Sequence, residues 1–459
     1  MKHSLSSGAD SEAQYKRMME TPIPRLVTSI ALPTVIGMLI TVVYNTADTY
    51  FVSQINKSAS AAVGAVYSIM AIIQALGYGL GVGAGSLISR KLGAKENDAA
   101  DKYASSAFFA AILMGTLISV LGLLVLKPFL RLLGCTDTMM PHAIPYARYI
   151  LFAAPINCAT FVLNNTLRSE GYSNLAMIGI CAGGVLNVFL DPLFIFTFNM
   201  GTGGAALATM ISQIVSFCIL AALFLSGRSI VRIRARSISR RFEDYKLIVT
   251  TGIPTICRQG LGSVAAAVLN IQAIGYGGDA AGAAITIANK VYVLVRNISI
   301  GFGQGFQPVA GYNYGAGNKK RTWQSFVFAA KVGSVVCIAF AILSTVFAEP
   351  IMWWFCDDAE VARIGTETIY LSSAVMPFLA ISTYVNQLYQ GLGFKAQATF
   401  LASCRQGIFF LPAVLLLPLA LGCLGVEAAQ PLADLCTFAV SIPFLISFYG
   451  KYIKESPEL

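Results

Sequence analysis

The stretch GLGVGAGSLISRKLGA, residues 79–94, returns as GFGQGFQPVAGYNYGA at residues 301–316, an offset of 222 residues. Gly79, Gly81, Gly83, Gly93 and Ala94 fall on Gly301, Gly303, Gly305, Gly315 and Ala316. The same shift carries Pro155 to Pro377, Asn164 to Asn386 and Gly171 to Gly393. A shift of one residue less carries LPT at 32–34 to IPT at 253–255. One such match arises by chance; the set reports an internal repeat.

Both copies lie in strongly apolar sequence. Of the 459 residues 56% are hydrophobic and 12% charged, against roughly 25% charged in soluble domains. Between Glu170 and Arg228 the only charged residue is Asp191. A bilayer span needs about 20 predominantly apolar residues, so that interval alone holds two.

Apolar runs predict an all-α integral membrane protein with twelve transmembrane helices. They lie near 26–53, 60–89, 104–126, 146–168, 174–198 and 204–226, then 247–275, 281–312, 324–348, 365–391, 396–420 and 425–449. Six spans per repeat is an even number, so both repeats enter the membrane from the same side. Two pseudo-symmetric six-helix bundles related by an axis along the membrane normal are one plan of secondary transporters. The expected organisation is a tail at 1–25, a first lobe at 26–226, a basic connection at 227–246, a second lobe at 247–450 and a tail at 451–459.

The first 25 residues are polar, so no cleavable signal is expected and both termini are expected in the cytoplasm. Arg90, Lys91, Lys95 and Lys102, the arginine run from Arg228 to Arg241, and Lys319, Lys320 and Arg321 then all fall on the cytoplasmic side. Only a few bases, such as Lys57, Lys127, Arg131 and Arg363, fall outside. This is the positive-inside distribution. It assigns the net charge of +10 to topology and to anionic membrane lipid rather than to nucleic acid.

Several motifs carry no chemistry. GYGLGVGAG echoes a dinucleotide fingerprint, but no strand precedes it, and small residues that let helices approach explain its glycines better. The only histidines, His3 and His142, fall in the tail and an outer loop, which leaves no material for a histidine metal site or triad. The ten cysteines are scattered singly with no CxxC spacing. No phosphate-binding Walker loop is present, and no nucleophile and base pair stands out, so no enzyme and no resident cofactor is expected. The driving energy must come from a gradient.

Charges inside spans are rare and functional by default, costing about 2.5–3.5 kcal/mol at a helix centre. Asp191, in LNVFLDPLFIF (186–196), has Asn187 four residues before it on the same helix face. Pro192 removes a backbone donor and can bend the helix there. Asp48, in VVYNTADTYFV, falls in the outer part of its span, as does Asp191, with Thr209 near the same depth. Asp48, Asn187, Asp191 and Thr209 are therefore an oxygen-rich candidate site for a proton or a sodium ion. The alternative is that these groups only pair with polar neighbours and lock helices together.

The second lobe carries the opposite sign, with Arg258, Lys290, Arg296 and Arg405 in spans and Glu427 and Asp434 as candidate partners. These bases, with Tyr44, Asn45, Asn164 and Asn386, are candidates for a cargo cavity or a polar network in the second lobe.

LPTVIGMLITVVYNTADTYFV, LNVFLDPLFIF, QGFQPVAGYNYGAG and GVEAAQPLAD together resemble the bacterial branch of the multidrug and toxic compound extrusion (MATE) family, over essentially the whole chain. The resemblance implies a V-shaped pair of six-helix bundles in a bacterial plasma membrane, exporting lipophilic, often cationic compounds in exchange for H+ or Na+. It implies a cation site at Asp48, Asn187, Asp191 and Thr209, and a bending proline at Pro33. A monomer is the simplest expectation. The rivals are a lipid-linked sugar flippase of the same superfamily, with pyrophosphate bound by second-lobe arginines, and a membrane receptor or scaffold that transports nothing.

Overall fold

The computed structural model describes residues 2–454, with side chains from Ser11 onward; His3 and the end of the expected 451–459 tail lie outside the described side chains and residues respectively. All regular structure among the described residues is helical. Among the described residues eleven helices are long and apolar enough to cross a membrane. Six precede the basic connection: α2 (Ile23–Ser53), α3 (Lys57–Gly93), α4 (Asn97–Leu124), α6 (Met140–Ser169), α7 (Ser173–Pro192, continued by a π-helical turn over Leu193–Thr197) and α8 (Gly201–Leu225). After it come α9 (Phe242–Gly315), α10 (Lys319–Val346), α12 (Ala359–Leu392), α13 with α14 (Lys395–Ser403 and Leu411–Leu421, joined by π-helical Cys404–Phe410) and α15 (Cys423–Phe448).

At 74 residues α9 is far longer than one crossing requires. It breaks at Gly278, with φ 66° and ψ −165°, a region open essentially to glycine alone. The break falls between the expected spans 247–275 and 281–312, so the eleven helices make twelve spans. The described residues also form α1 (Lys2–Glu20), α5 (Leu126–Leu132) and α11 (Ala348–Phe355), a 3-10 turn over Ala235–Ser237 and a π-helical end over Tyr449–Lys454.

The repeat is physical as well as textual. The offset of 222 residues superposes the bounds of α4 on those of α10 and the starts of α5 and α7 on those of α11 and α13. It also superposes a contact: Asn164 Nδ2 donates to the Ala176 carbonyl at 2.9 Å, and Asn386 Nδ2 to the Ala398 carbonyl at 2.7 Å. Each amide ties the fourth span of its repeat to the fifth, where lipid offers no competing partner.

Packing groups the chain into two compact units, one of residues 1–21 and 36–256, the other of 22–35 and 257–459. The opening segments of the two repeats are thus exchanged. In the first unit, a side chain at Gly83 would meet the Ile248 carbonyl at 2.3 Å, and one at Gly252 would meet the Gly79 carbonyl at 2.2 Å. In the second unit the repeat-related Gly305 lies backbone to backbone against Ala31, at 2.2 Å for a hypothetical Cβ. α2 changes unit just after Pro33, and α9 changes unit just after the matching Pro254.

The basic connection is stitched to the first unit through its backbone. The Arg232 and Arg234 amides donate to Asp101 Oδ1 (2.8 Å) and Ser105 Oγ (3.0 Å), and the Ser239 amide to Ser106 Oγ (2.8 Å). Arg228, Arg234, Arg236, Arg240 and Arg241 remain exposed. Glu170, fully buried beyond the end of α6, accepts from Ser229 Oγ at 2.7 Å and the Ile230 amide at 2.9 Å. Helix α1 closes over the same corner: Gln14 Nε2 donates to the Glu170 carbonyl at 2.8 Å, and Met18 is fully buried.

Two tests follow from this packing. Gly83→Ala must push two backbones apart and lowers stability by about 1–3 kcal/mol, whereas Gly64→Ala, on the same helix with nothing within 4 Å, raises it by about 0.5–1 kcal/mol. Thermal unfolding of the two variants beside the parent checks the contrast, and equal shifts contradict it. Burial raises the Glu170 carboxyl from 4.5 to about 8. Its contribution is therefore fully present below about pH 4.5 and is lost as pH rises to about 8, at roughly 1.4 kcal/mol per pH unit. Glu170→Gln, a neutral side chain of the same size that does not titrate, flattens the dependence of the apparent Tm on pH between these limits; an unchanged slope rejects the assignment.

Candidate functional site

Two glycines of α7 set the geometry of the first unit. A Cβ on Gly183 would lie 3.0 Å from the Ser212 carbonyl of α8, and one on Gly184 would lie 3.0 Å from Ile40 and Tyr44 of α2. With no side chains there, α7 sits close between α2 and α8. One turn further on it presents Asn187, and two turns on Asp191.

The four expected cation-site residues are gathered by this packing. Asn187 Nδ2 donates to Asp191 Oδ1 at 3.2 Å and to Thr209 Oγ1 at 3.4 Å. Asp48 approaches from α2 and accepts from Tyr146 OH at 3.5 Å; the same hydroxyl lies 3.7 Å from Met70 Sδ. Asp191 has no exposed surface and Asn187 only 2%. A cavity of about 30 Å³ is lined by Asp48, Asn187 and Thr209 together with Tyr44, Asn45, Gln74, Asn157 and Gln213; Asp191, bonded to Asn187, is not among its lining residues. That is the space of one or two water molecules or a small ion.

The decisive property of this cluster is what its members lack. Asp48 Oδ1, Asn187 Oδ1 and Asp191 Oδ2 are buried with no hydrogen-bond partner. All three are acceptors. A buried acceptor without a donor is costly, and a proton or a hard cation relieves it. Pro192 adds to the set: it has no N–H for the Val188 carbonyl, and the helix continues as a π-helical turn, a form frequent at functional sites. Among the described residues no cluster of three or more His, Cys, Asp or Glu gathers for a metal ion. The oxygen set here is of the kind a proton or an alkali ion uses.

In the second unit polar groups meet in a network of the opposite sign. Arg405, inside the π-helical segment, donates through Nε to Asp434 Oδ1 at 2.7 Å and through Nη2 to Tyr292 OH. Tyr292 OH donates to Asp434 Oδ2, and Gln430 Nε2 donates to Asp434 Oδ1 at 3.1 Å. Arg258 donates to Asn386 Oδ1 at 3.5 Å. Of the two acids expected as partners, Asp434 pairs with Arg405, while Glu427 lies beside Cys423 and Thr368. Lys290 is exposed and joins none of these contacts. Asn164 does not line the cavity at Asp48; besides Ala176 it serves Arg168, whose Nη2 donates to its Oδ1 at 2.8 Å.

Sequence reasoning missed three members. Gln430 precedes Asp434 by four residues, as Asn187 precedes Asp191, so the spacing that marked one amide and acid pair marks the other. Tyr292 precedes Arg296 by four in the same way. Tyr146 had no such signal, because its partner is 98 residues away on another helix.

Comparison with known proteins agrees with this architecture. The MatE family model matches residues 33–193 and again 254–415, the two halves of the repeat. The chain is 26% identical to the multidrug export protein MepA of Staphylococcus aureus over 92% of this chain and 94% of that one. It is 25% identical to MepA of Staphylococcus saprophyticus over 90% and 91%. Among solved structures it resembles an outward-facing multidrug resistance MATE transporter of the MOP superfamily, with TM-score 0.90 and 26% identity over 95% of this chain and 98% of that one. It also resembles a MOP superfamily transporter from Pyrococcus furiosus whose binding pocket has reverse polarity, suggesting a different function for that protein, with TM-score 0.89, 26% identity and the same coverage. With the family model matched twice, in register with the internal repeat and over more than half of its residues, this chain belongs to the MatE family of membrane transporters.

Proposed function

We propose that this transporter exports organic, often cationic and lipophilic compounds, and that the Asp48, Asn187, Asp191 and Thr209 cluster binds the H+ or Na+ whose inward movement drives export. Family membership makes the chain a secondary active transporter and not an enzyme. The observation that carries the coupling assignment is the group of three partnerless acceptor oxygens, on Asp48 and Asn187 in the wall of one ion-sized cavity and on Asp191 hydrogen-bonded to Asn187.

The cycle follows from linkage. Cation binding at Asp48 and Asp191 and cargo binding disfavour one another, and the antagonism is reciprocal. A cation arriving from outside favours cargo release there; its loss to the inside restores affinity for the next cargo molecule. Tyr44, on the cavity wall beside Gly184, gives an aromatic face between the ion and its surroundings. Pro33, two residues before α2 changes unit, is the candidate hinge. The distribution of bases supports both termini cytoplasmic and anionic lipid beside the exposed arginines of the connection; a bacterial plasma membrane and a monomeric working form belong to the same proposal.

Purified protein in liposomes, loaded with a fluorescent organic cation and given a proton gradient or a sodium gradient, tests the reading. One gradient drives efflux in the parent. Asp191→Asn reduces the response to that gradient by a factor on the order of 5–150, the usual range of coupling between linked sites, and Asp48→Asn acts in the same direction. A variant that responds to the gradient as the parent does removes the acid from the coupling role.

A further inference from the structure

Arg258, Arg296 and Arg405 bring three guanidinium charges into the spans of the second unit. Asp434 answers Arg405 and is already committed to it, to Tyr292 and to Gln430. Arg296 is one helical turn beyond Tyr292 on the same face of α9, within electrostatic reach of Arg405, Asp434 and Arg258. Its Nε is buried without a hydrogen-bond partner, and no ion pair reaches it, yet the residue as a whole keeps some exposed surface.

An arginine cannot shed its charge as a lysine can. A guanidinium inside a membrane protein is expensive unless it is paired. The neighbouring acid is taken, and two further positive charges stand near it. Water at its exposed edge can accept hydrogen bonds but cannot neutralise the charge; an anion from outside the chain does both, and the planar fork of arginine matches a carboxylate or phosphate.

We propose that Arg296 is the anchor of an oxyanion subsite in the second unit, taking the carboxylate of a zwitterionic or anionic cargo molecule. The Arg405–Asp434–Tyr292 network holds the helix face on which it stands, and Arg258 adds positive potential. The assignment rests on the transport reading above for the arrival of cargo. It widens that reading from simple organic cations to compounds bearing an acid.

The test uses a rhodamine dye with a free carboxylate and the methyl ester of the same dye, titrated against the full-length protein in a nonionic detergent free of phospholipid. The parent binds the free acid more tightly than the ester. Arg296→Gln lowers that preference by about tenfold or more, the scale of one charge-assisted hydrogen bond, and Arg296→Lys, which keeps the charge, restores part of it. The assignment is overturned if the parent shows no preference for the acid, or if Arg296→Gln leaves the preference unchanged. Displacement of the acid dye from the parent by an anionic phospholipid, with no such displacement from Arg296→Gln, would also overturn it by giving the site to a lipid headgroup. Gradient-driven efflux of the ester from liposomes by the parent tests the transport reading separately, so either can fail alone.

Discussion

Inside a bilayer a polar atom must find its partner within the protein, because lipid supplies none. Most of this structure is a set of answers to that demand. Asn164 and Asn386 spend their amides on the next span of their own repeat. Arg405 is matched to Asp434 through direct and tyrosine-mediated contacts. At the ends of the crossing helices, Glu170 and Asp101 are met by the backbone of the basic connection. Against that background the buried polar atoms left without a hydrogen-bond partner among the described residues stand out; they include one oxygen each of Asp48, Asn187 and Asp191, the Nε of Arg296 and Glu427 Oε2.

The two repeats share a scaffold and differ in charge. Their helices coincide at one offset, their glycines bring backbones together in the same manner, and their asparagines bind the same carbonyl. Close backbone packing at Gly83 and Gly305 leaves no room for drift, because even one methyl group collides with main chain. The side chains between these fixed points were free to diverge. One unit gathers carboxylates and amide oxygens that suit a cation, the other gathers guanidinium groups that suit an anion. The frame is common to the two halves, and the polar side chains set them apart.

The spans were legible in the sequence because a run of twenty apolar residues has one physical meaning, and the repeat was legible because its glycines are fixed by contact. The first-unit site was legible from one spacing, the four residues between Asn187 and Asp191, with Asp48 and Thr209 added by depth and by family resemblance. The rest depends on tertiary structure. The exchange of opening segments after Pro33 and Pro254 cannot be read from chain order. The connection at 227–246 reads as a plain basic run, and only the fold shows its backbone fastened to Asp101, Ser105 and Ser106. Tyr146 and Tyr292 look like ordinary span aromatics, and their hydroxyls gain meaning from partners 98 and 142 residues away. Lys290 shows the converse: a base within an apolar run that the fold leaves exposed, apart from the network its type suggested.

The central claim is that the partnerless oxygens at Asp48, Asn187 and Asp191 hold the coupling ion in competition with cargo. Its most direct test is to add a tightly bound organic cation to purified protein in weakly buffered solution and record the release of protons, or of sodium from protein equilibrated with it. The account predicts release of one of the two ions on cargo binding, abolished in Asp191→Asn. Cargo binding that releases neither ion from the parent, at any pH or sodium concentration where the cargo binds, would contradict it.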